Sequence, residues 1–327
     1  MGRLFGRYAN LLVANSQTGL DLSKLRFRFR TSNNDVESPN TAEVRVYNLS
    51  DATVRKTMNE FDAVTIDVGY GDDHAIIFRG SIKQFRRGKE NNVDSFLEIL
   101  AADNDLGYNF GVVNKTFSPG TTIQQEMSHY AEKMGATVDS SANDYIAQAT
   151  GGILPNPRGK VAYGLARSFM RDLANTFNAR WSIQDGVLYL IPLNGYLPGD
   201  VIKINSTTGM VGIPEATESG IIVRTLINPK IQIGNAIQLN NKDIVTTTLH
   251  GKTLNEQAMS RLYPNYTGPS FIATTSNDGL YRVLVAEHSG DTRDNTWYTD
   301  IVCLSIDQST SQNATSVNQT LSSVEPF

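Results

Sequence analysis

The spacing of apolar residues changes twice along the chain, and this change limits the folds that the chain can adopt. In the first third, apolar and polar residues alternate over residues 25–30 and 43–47, which is typical of β-strands with one buried face. After about residue 120 the apolar spacing becomes that of amphipathic helices. Beyond about residue 200 the strand-like pattern returns. The sequence therefore predicts an α+β protein that is mainly β, with its helices in the middle.

The first third, residues 1–112, is predicted to form a curved antiparallel sheet or barrel. Its predicted strands are residues 8–13, 25–30, 43–47, 64–68, 75–79, 81–86 and 95–101, the last two forming a hairpin. Ser50 or Asp51 can cap a short helix over residues 52–59, because a side-chain oxygen there accepts the free N–H groups of the first turn.

The middle segment, residues 113–193, is predicted to be a small α+β module. One helix is predicted from a Thr121 or Thr122 cap to about Met134, and a second over residues 161–178, where apolar residues recur every four positions. Apolar runs on both sides of Asp185-Gly186 predict a hairpin.

The last third, residues 194–307, is predicted to be a second β domain. Its predicted strands are residues 201–204, 209–214, 220–226, 230–239, 279–288 and 296–306. Residues 308–327 are rich in Ser, Thr, Asn and Gln. Such a segment cannot bury enough apolar surface to order itself, so we expect a flexible tail.

Composition excludes several classes of protein. The 327 residues carry a formal net charge of −4, whereas proteins that grip nucleic acid usually carry a basic excess. The single cysteine, Cys303, lies in an apolar run and predicts a buried strand residue rather than a disulfide or a Cys-based metal site. The first seven residues lack the apolar stretch of a signal peptide, and no apolar run is long enough to cross a bilayer. We therefore expect a soluble protein without a membrane partner.

Candidate chemical sites are few. His288, Asp291 and Asp294 could bind a metal or form an acid–base pair, but their composition also suits a tight turn. Glu126 and Glu132 could form the carboxylate pair of a glycosidase, although their spacing equally suits a solvated helix face. Trp181 and Trp297 are predicted core residues. We therefore expect no catalytic, cofactor-binding or metal-binding residues and no cofactor.

Four arginines form the most distinctive polar group. Arg26, Arg28 and Arg30 lie on one face of a predicted strand, and Arg45 lies on the next strand along the chain. They could form the outer face of a half-exposed sheet, a subunit interface or a nucleic-acid contact. Arginine is favoured where a partner's carboxylate is held by two hydrogen bonds, so we predict that the four contact carboxylates of a neighbouring chain or barrel, or point outward, rather than contact DNA.

Several motifs occur in an order that resembles the baseplate hub proteins of long-tailed, especially contractile-tailed, bacteriophages. In the last third they are TGMVGIP at 208–214, ESGI at 218–221, LINP at 226–229 with Gly234, GLYRV at 279–283, HSGDTR at 288–293, and Trp297. In the middle they are NARW at 178–181 and Asp185-Gly186, and in the first third AEVRVYNLS at 42–50. The resemblance spans about residues 10–306.

The resemblance implies a structural role at the tail tip. Two tube-like antiparallel β-barrels per chain, interrupted by the middle module, and three chains per ring give six similar units around a channel. Such a homotrimer joins a sixfold tail tube to a threefold central spike. Its implied partners are the tail tube, spike and tape-measure proteins and other baseplate proteins, while DNA crosses the lumen without specific binding. The implied location is the virion, after assembly in the host cytoplasm.

Two other classes of function stay open at this point. The middle α+β module could belong to a tail-associated peptidoglycan hydrolase, or the β-regions to a receptor- or glycan-binding tail protein. A hub forms threefold rings, whereas a hydrolase acts as a monomer, so particle mass and shape discriminate between them.

Overall fold

A computed structural model describes residues 4–152, 155–217, 220–240, 242, 244–246 and 279–305. Strands hold 49% and helices 19% of these residues, and most strand pairs are antiparallel, so the mainly β class is confirmed. The predicted tail at 308–327 and residues 218–219 of the resemblance lie outside the described ranges. No helix within those ranges is long and apolar enough to cross a membrane.

Residues 4–102 form seven strands and a helix. They are β1 Arg7–Ala14, β2 Gly19–Asp21, β3 Phe27–Asn34, β4 Thr41–Tyr47, α1 Asp51–Glu60, β5 Ala63–Tyr70, β6 Asp73–Lys89 and β7 Ser95–Ala102. Ser50 caps α1, since its Oγ accepts the Thr53 N–H at 3.1 Å. The prediction of separate strands at 75–79 and 81–86 is wrong, because β6 is one strand of 17 residues. Residues 73–81 of β6 pair with β5, and residues 81–89 pair with β7 with a register shift between Ile82 and Gln84.

The described residues from 105 to 192, which begin before the predicted boundary of the middle segment, contain four helices and five strands. They are α2 Asp105–Phe110, β8 Val112–Phe117, α3 Ile123–Lys133, β9 Thr137–Val138, α4 Ser140–Thr150, β10 Lys160–Leu165, α5 Ala166–Thr176, β11 Ala179–Gln184 and β12 Val187–Pro192. Thr122 and Gln125 form a capping box at the start of α3. The predicted β11–β12 hairpin is confirmed, with Asp185 and Gly186 both at positive φ in its turn.

The predicted helix over residues 161–178 is wrong in its first turn and a half. Residues of β10 pair with β8 instead, and Tyr163 lies opposite Asn114. Gly164 has a φ of +144°, which helices do not contain. The helix α5 therefore begins only after Leu165, which is its N-cap.

The described part of the last third contains seven strands. They are β13 Ile202–Lys203, β14 Met210–Thr217, β15 Gly220–Leu226, β16 Ala236–Gln238, β17 Val245–Thr246, β18 Leu280–Asp291 and β19 Trp297–Ser305. The predicted strand over 230–239 is wrong for most of its length. Gly234 adopts a φ of +85° and turns the chain, so only the three residues of β16 pair as a strand.

One 14-stranded sheet contains strands from both the first and the last third. Its order is β17-β14-β15-β19-β18-β3-β4-β7-β6-β5-β1-β2, with β16 pairing on β18 and β13 on β16. The two thirds meet where β3 pairs antiparallel with β18, and Arg28 lies opposite Asp291 there. The described strands form no closed barrel, so two separate barrels are not confirmed.

The three largest apolar cores follow the three parts of the chain, although the first core also takes residues from the last third. The first core collects side chains of β1, β3 to β7 and α1, but it also contains Ile227 and Trp297 from the last third. A second core lies within the middle segment around Trp181, and a third lies between β15, β18 and β19. Both tryptophans are buried, at 2% and 1% exposure, so their prediction as core residues is confirmed.

Candidate functional site

The four predicted interface arginines lie together on one face of the long sheet. Because side chains alternate along a strand, Phe27 and Phe29 of β3 enter the first core while Arg28 and Arg30 point away from it. Arg26 immediately precedes β3, and Arg45 lies opposite Arg28 on β4. We call these four residues the arginine face.

Two arginines bind carboxylates that come from the last third. Arg26 donates to Asp291 from Nε at 3.3 Å and from a terminal nitrogen at 2.8 Å, and its guanidinium lies 4.6 Å from the Tyr47 ring centre. Arg30 donates to Glu287 at 2.8 Å. Burial by itself would raise the pKa of Asp291, but the hydrogen bonds from Arg26 and from the Arg293 N–H outweigh it and lower that pKa. These pairs therefore fasten the first third to the last.

Arg45 is held within the first third. It donates to the buried Glu98 from Nε at 3.1 Å and from a terminal nitrogen at 2.6 Å, and it stacks 4.4 Å from the Phe96 ring centre. Arg86 also contacts Glu98. Burial opposes ionisation of Glu98, but the hydrogen bonds from Arg86 and Arg45 prevail and lower its pKa.

Arg28 is the least engaged of the four. Its terminal nitrogen lies 3.7 Å from Glu90, which is too long for a hydrogen bond, and its side chain is 51% exposed. The arginine face is thus not an unpaired basic strip, because Arg26, Arg30 and Arg45 are each charge-paired within the chain. Arg28 and the half-exposed Arg30 are the members that extend furthest into solvent.

The chain does not assemble His288, Asp291 and Asp294 into a metal or acid–base site. His288 is buried, and its Nδ1 lies 2.9 Å from Thr299 Oγ1. Burial lowers the pKa of His288 to about 4, so its imidazole is neutral near pH 7. Asp291 is occupied by Arg26, and Asp294 accepts the Asn295 N–H. Within the described ranges, no three His, Cys, Asp or Glu side chains converge on a possible metal position.

Glu126 and Glu132 also have separate roles. Glu126 is buried and accepts hydrogen bonds from Tyr130 at 3.1 Å, from Lys160 at 2.8 Å and from Asn156. Glu132 is 72% exposed on the same helix. Because three donors already occupy Glu126, it fastens the loop before β10 to α3 rather than facing a substrate.

A small polar cavity, which no sequence pattern had predicted, lies where the three parts of the chain meet. Asp103 from the end of β7, Asp185 from the β11–β12 turn and His288 from β18 line it, together with Asn33 and Asn40. Asp103 accepts the Asp185 N–H at 2.9 Å. Burial, and then the negative charge of Asp185, raise the pKa of Asp103 to about 7. The sequence predicted only the Asp-Gly turn that carries Asp185.

A buried ionic cluster lies at the same junction. Asp35 from the first third binds Arg180 from the middle segment at 3.2 Å. Arg282 from the last third adds a second positive charge near Asp35 and donates to the carbonyls of Pro192, Leu193 and Gly195. Charge therefore ties all three parts of the chain together, whereas the long sheet joins only the first and last thirds.

Two solved tail proteins share the fold of this chain. The tail protein from Neisseria meningitidis MC58 superposes with a TM-score of 0.54 at 9% identity, covering 92% of this chain and 97% of that chain. The 43 kDa tail protein of prophage MuSo2 from Shewanella oneidensis gives a TM-score of 0.54 at 7% identity, covering 91% and 98%. At such identities these likenesses establish the fold alone.

Sequence comparison establishes the family. No curated protein sequence matches the chain significantly. Residues 13–243 match the family described as baseplate hub gp41. The matched range includes the middle segment and the motifs at 42–50 and 208–214, while the motifs at 279–297 lie outside it. Since the match covers well over half of the chain, this protein belongs to the baseplate hub gp41 family and is a structural protein of the phage tail baseplate.

Proposed function

We propose that three copies of this chain form a closed ring with pseudo-sixfold symmetry at the tip of the phage tail. Residues 1–112 and 194–307 each contribute one tube-like β unit to the ring, and residues 113–193 form a module between them. The ring joins the tail tube above to the central spike below and surrounds the DNA channel. Its place is the virion, after assembly in the host cytoplasm.

The observation that carries this proposal is the pairing of β3 with β18. This pairing places the first and last thirds side by side in one sheet, so each chain offers two neighbouring β regions. Three such chains supply the six regions that a sixfold tube requires. A ring of this kind closes through heterologous contacts, in which different surfaces of two subunits meet.

We propose that the exposed part of the arginine face, Arg28 and Arg30, contributes to the contact between subunits. Arg26 and Arg45 position this surface through their bonds to Asp291 and Glu98. A half-exposed arginine presents several donors in a planar fork and suits a carboxylate on a neighbouring chain. Arg28 has the most donor capacity left for such a partner, because Glu90 lies beyond hydrogen-bond distance.

The proposed partners are the tail tube protein, the central spike protein, the tape-measure protein and other baseplate proteins. DNA passes through the lumen without specific binding, which the net charge of −4 and the internal pairing of the arginines support. Each phosphate contact to a cationic side chain would add salt-dependent affinity and slow the passage of DNA. The role is structural and not enzymatic, as expected for a member of this family.

Particle mass and shape test the ring. We expect mass photometry and native mass spectrometry of the full chain, with and without the spike protein, to detect trimers, and class averages of the particles to have threefold symmetry. The double variant Arg28→Glu/Arg30→Glu should weaken association, whereas Lys24→Glu, an exposed charge reversal just before β3, should leave it unchanged. A chain that stays monomeric within assembled tails would contradict the proposal.

A further inference from the structure

An open groove of about 650 Å³ lies on the middle segment, away from the arginine face. Its walls are the end of β8, one face of α3 and the first turn of α4. The side chains that define its chemistry are Lys115, Phe117, Gln124, His129, Glu132 and Asn143. The groove is thus built from three elements that the second core holds in place.

Three buried polar atoms at this groove have no hydrogen-bond partner in the described part of the chain. They are Gln124 Oε1, His129 Nε2 and Asn143 Oδ1. A buried polar atom without a partner costs roughly 1–3 kcal/mol, and native proteins contain few of them. All three residues that carry these atoms line the groove. Three such atoms beside one groove indicate a surface shaped to hold a ligand.

The charges of the groove select against ionic ligands. Lys115 and Glu132 carry opposite charges, and both lie near enough to His129 to affect the pKa of its imidazole. Burial, followed by the positive charges of Lys115 and Lys133, lowers the pKa of His129. The imidazole is therefore neutral at pH 7, and the groove has no net charge.

The unpartnered atoms define what the ligand must supply. Amide oxygens only accept hydrogen bonds, and a neutral imidazole nitrogen can accept as well. The matching groups are hydroxyls and amide N–H groups on an uncharged ligand. A protein partner would require exposed apolar anchors, but the aromatic side chain in the lining, Phe117, is 3% exposed. Hydroxyl side chains, including Ser118 and Ser128, complete the lining.

We propose that this groove binds an uncharged glycan, whose hydroxyl and acetamido groups donate hydrogen bonds to Gln124, His129 and Asn143. The site goes beyond the ring proposed above and does not depend on it. A tail-tip protein with such a site would contact carbohydrate through its middle segment while its β regions make the ring.

Calorimetric titration of the full chain with the N-acetylglucosamine tetramer tests the site, and maltotetraose tests hydroxyl donors alone. We expect saturable binding that the double variant Gln124→Met/Asn143→Leu weakens by at least about tenfold, the loss expected for one or two hydrogen bonds. The same variant should unfold at an equal or higher temperature, because it removes unsatisfied polar atoms. Gln148→Met, at an exposed position of α4 outside the lining, should leave binding unchanged.

Three results would overturn the glycan site. In the first, neither oligosaccharide binds saturably. In the second, the double variant binds as tightly as the parent chain. In the third, an uncharged peptide binds more tightly than both sugars. If the double variant does not fold, His129→Phe takes its place with the same expected loss. Particle mass measured on the same samples reports the ring separately, so failure of one proposal is distinguishable from failure of the other.

Discussion

Asp103 accepts the backbone N–H of Asp185 at 2.9 Å, although the two residues are 82 positions apart. The bond joins the end of β7 to the turn of the β11–β12 hairpin, so a carboxylate of the first third positions the middle segment. The environment of the Asp103 carboxyl group disfavours its ionised form, because burial and the neighbouring Asp185 raise the pKa of Asp103 to about 7.

Asp103→Asn should stabilise the protein at neutral and alkaline pH. An acid whose pKa rises from 3.8 to about 7 on folding binds more protons in the folded state, so it lowers the free energy of unfolding as pH rises through that window. At about 1.36 kcal/mol per pKa unit, the gain in the variant is at most about 4 kcal/mol above pH 7. Urea unfolding at pH 8 measures it, and a less stable variant there would show that the ionised carboxylate is needed.

In the acidic range, the free energy of unfolding of Asp103→Asn should depend more steeply on pH than that of the parent chain. The pKa of His288 falls from 6.5 to about 4 on folding, so its contribution is complete above pH 6.5 and is lost as pH falls towards 4. In the parent chain the opposite slope of Asp103 offsets this loss. Unfolding midpoints between pH 4 and 6.5 should therefore rise with pH more strongly in Asp103→Asn, and parallel curves would contradict the assignment.

Arg26→Met should destabilise the protein by about 1.5–3 kcal/mol, because it leaves the buried Asp291 carboxylate without its two hydrogen bonds from Arg26. Arg28→Met removes an exposed charge from the same face and should change stability by about 0.5 kcal/mol or less. Chemical denaturation of both variants gives the comparison. Equal losses in the free energy of unfolding would mean that the Arg26–Asp291 pair contributes no more to stability than the exposed Arg28.

Trp297→Ala should cost about 3–5 kcal/mol, the usual range for loss of a large buried aromatic side chain. Trp297 packs edge-on against Phe29 at 5.5 Å and belongs to the core of the first third. Trp297→Phe should cost much less, because it keeps an aromatic ring and removes a buried indole N–H that has no partner among the described residues. Thermal unfolding of both variants measures the difference, and a stable Trp297→Ala variant would contradict the core role.

Gly290→Ala should also destabilise this contact. A Cβ at Gly290 would lie 2.6 Å from the Phe29 ring and 2.7 Å from the Trp297 ring, closer than packed atoms approach. Overpacking of this kind costs about 1–3 kcal/mol. The control is Ser289→Ala, one position earlier on β18, which should be nearly neutral. Calorimetry of the two variants decides, and equal melting temperatures would mean that the rings move aside freely.

Local patterns in the sequence predicted most single elements but not their partners. Alternation identified β3 and its buried face, although the strand begins two residues and ends four residues later than predicted. The threonine cap and Gly135 bounded α3, because helix ends have local chemical signals. The beginning of α5 was wrong, since Leu165 fits both the helical spacing and the β8–β10 pair. The helix α4 was missed, although Asp139 caps its start and Gly151 ends it in a left-handed conformation.

The sequence predicted which arginines form the candidate site but not which residues they contact. The grouping of Arg26, Arg28 and Arg30 on one face follows from strand periodicity. Strand periodicity does not predict their carboxylate partners on β18. Pairing between strands so far apart in sequence depends on the whole fold rather than on neighbouring residues. The buried cavity of Asp103 and Asp185 could not be predicted either, since burial of an acid leaves no pattern in a single sequence.

The pairing of β3 with β18 also has a consequence for synthesis. At about 5–20 residues per second, Arg28 leaves the ribosome roughly 13–50 seconds before Asp291. During that interval β3 is the open edge of a nascent sheet, and open edges invite pairing with other chains. Arginines on every second residue discourage such pairing through charge. We therefore expect the arginine face to protect the growing polypeptide from aggregation until Glu287 and Asp291 arrive.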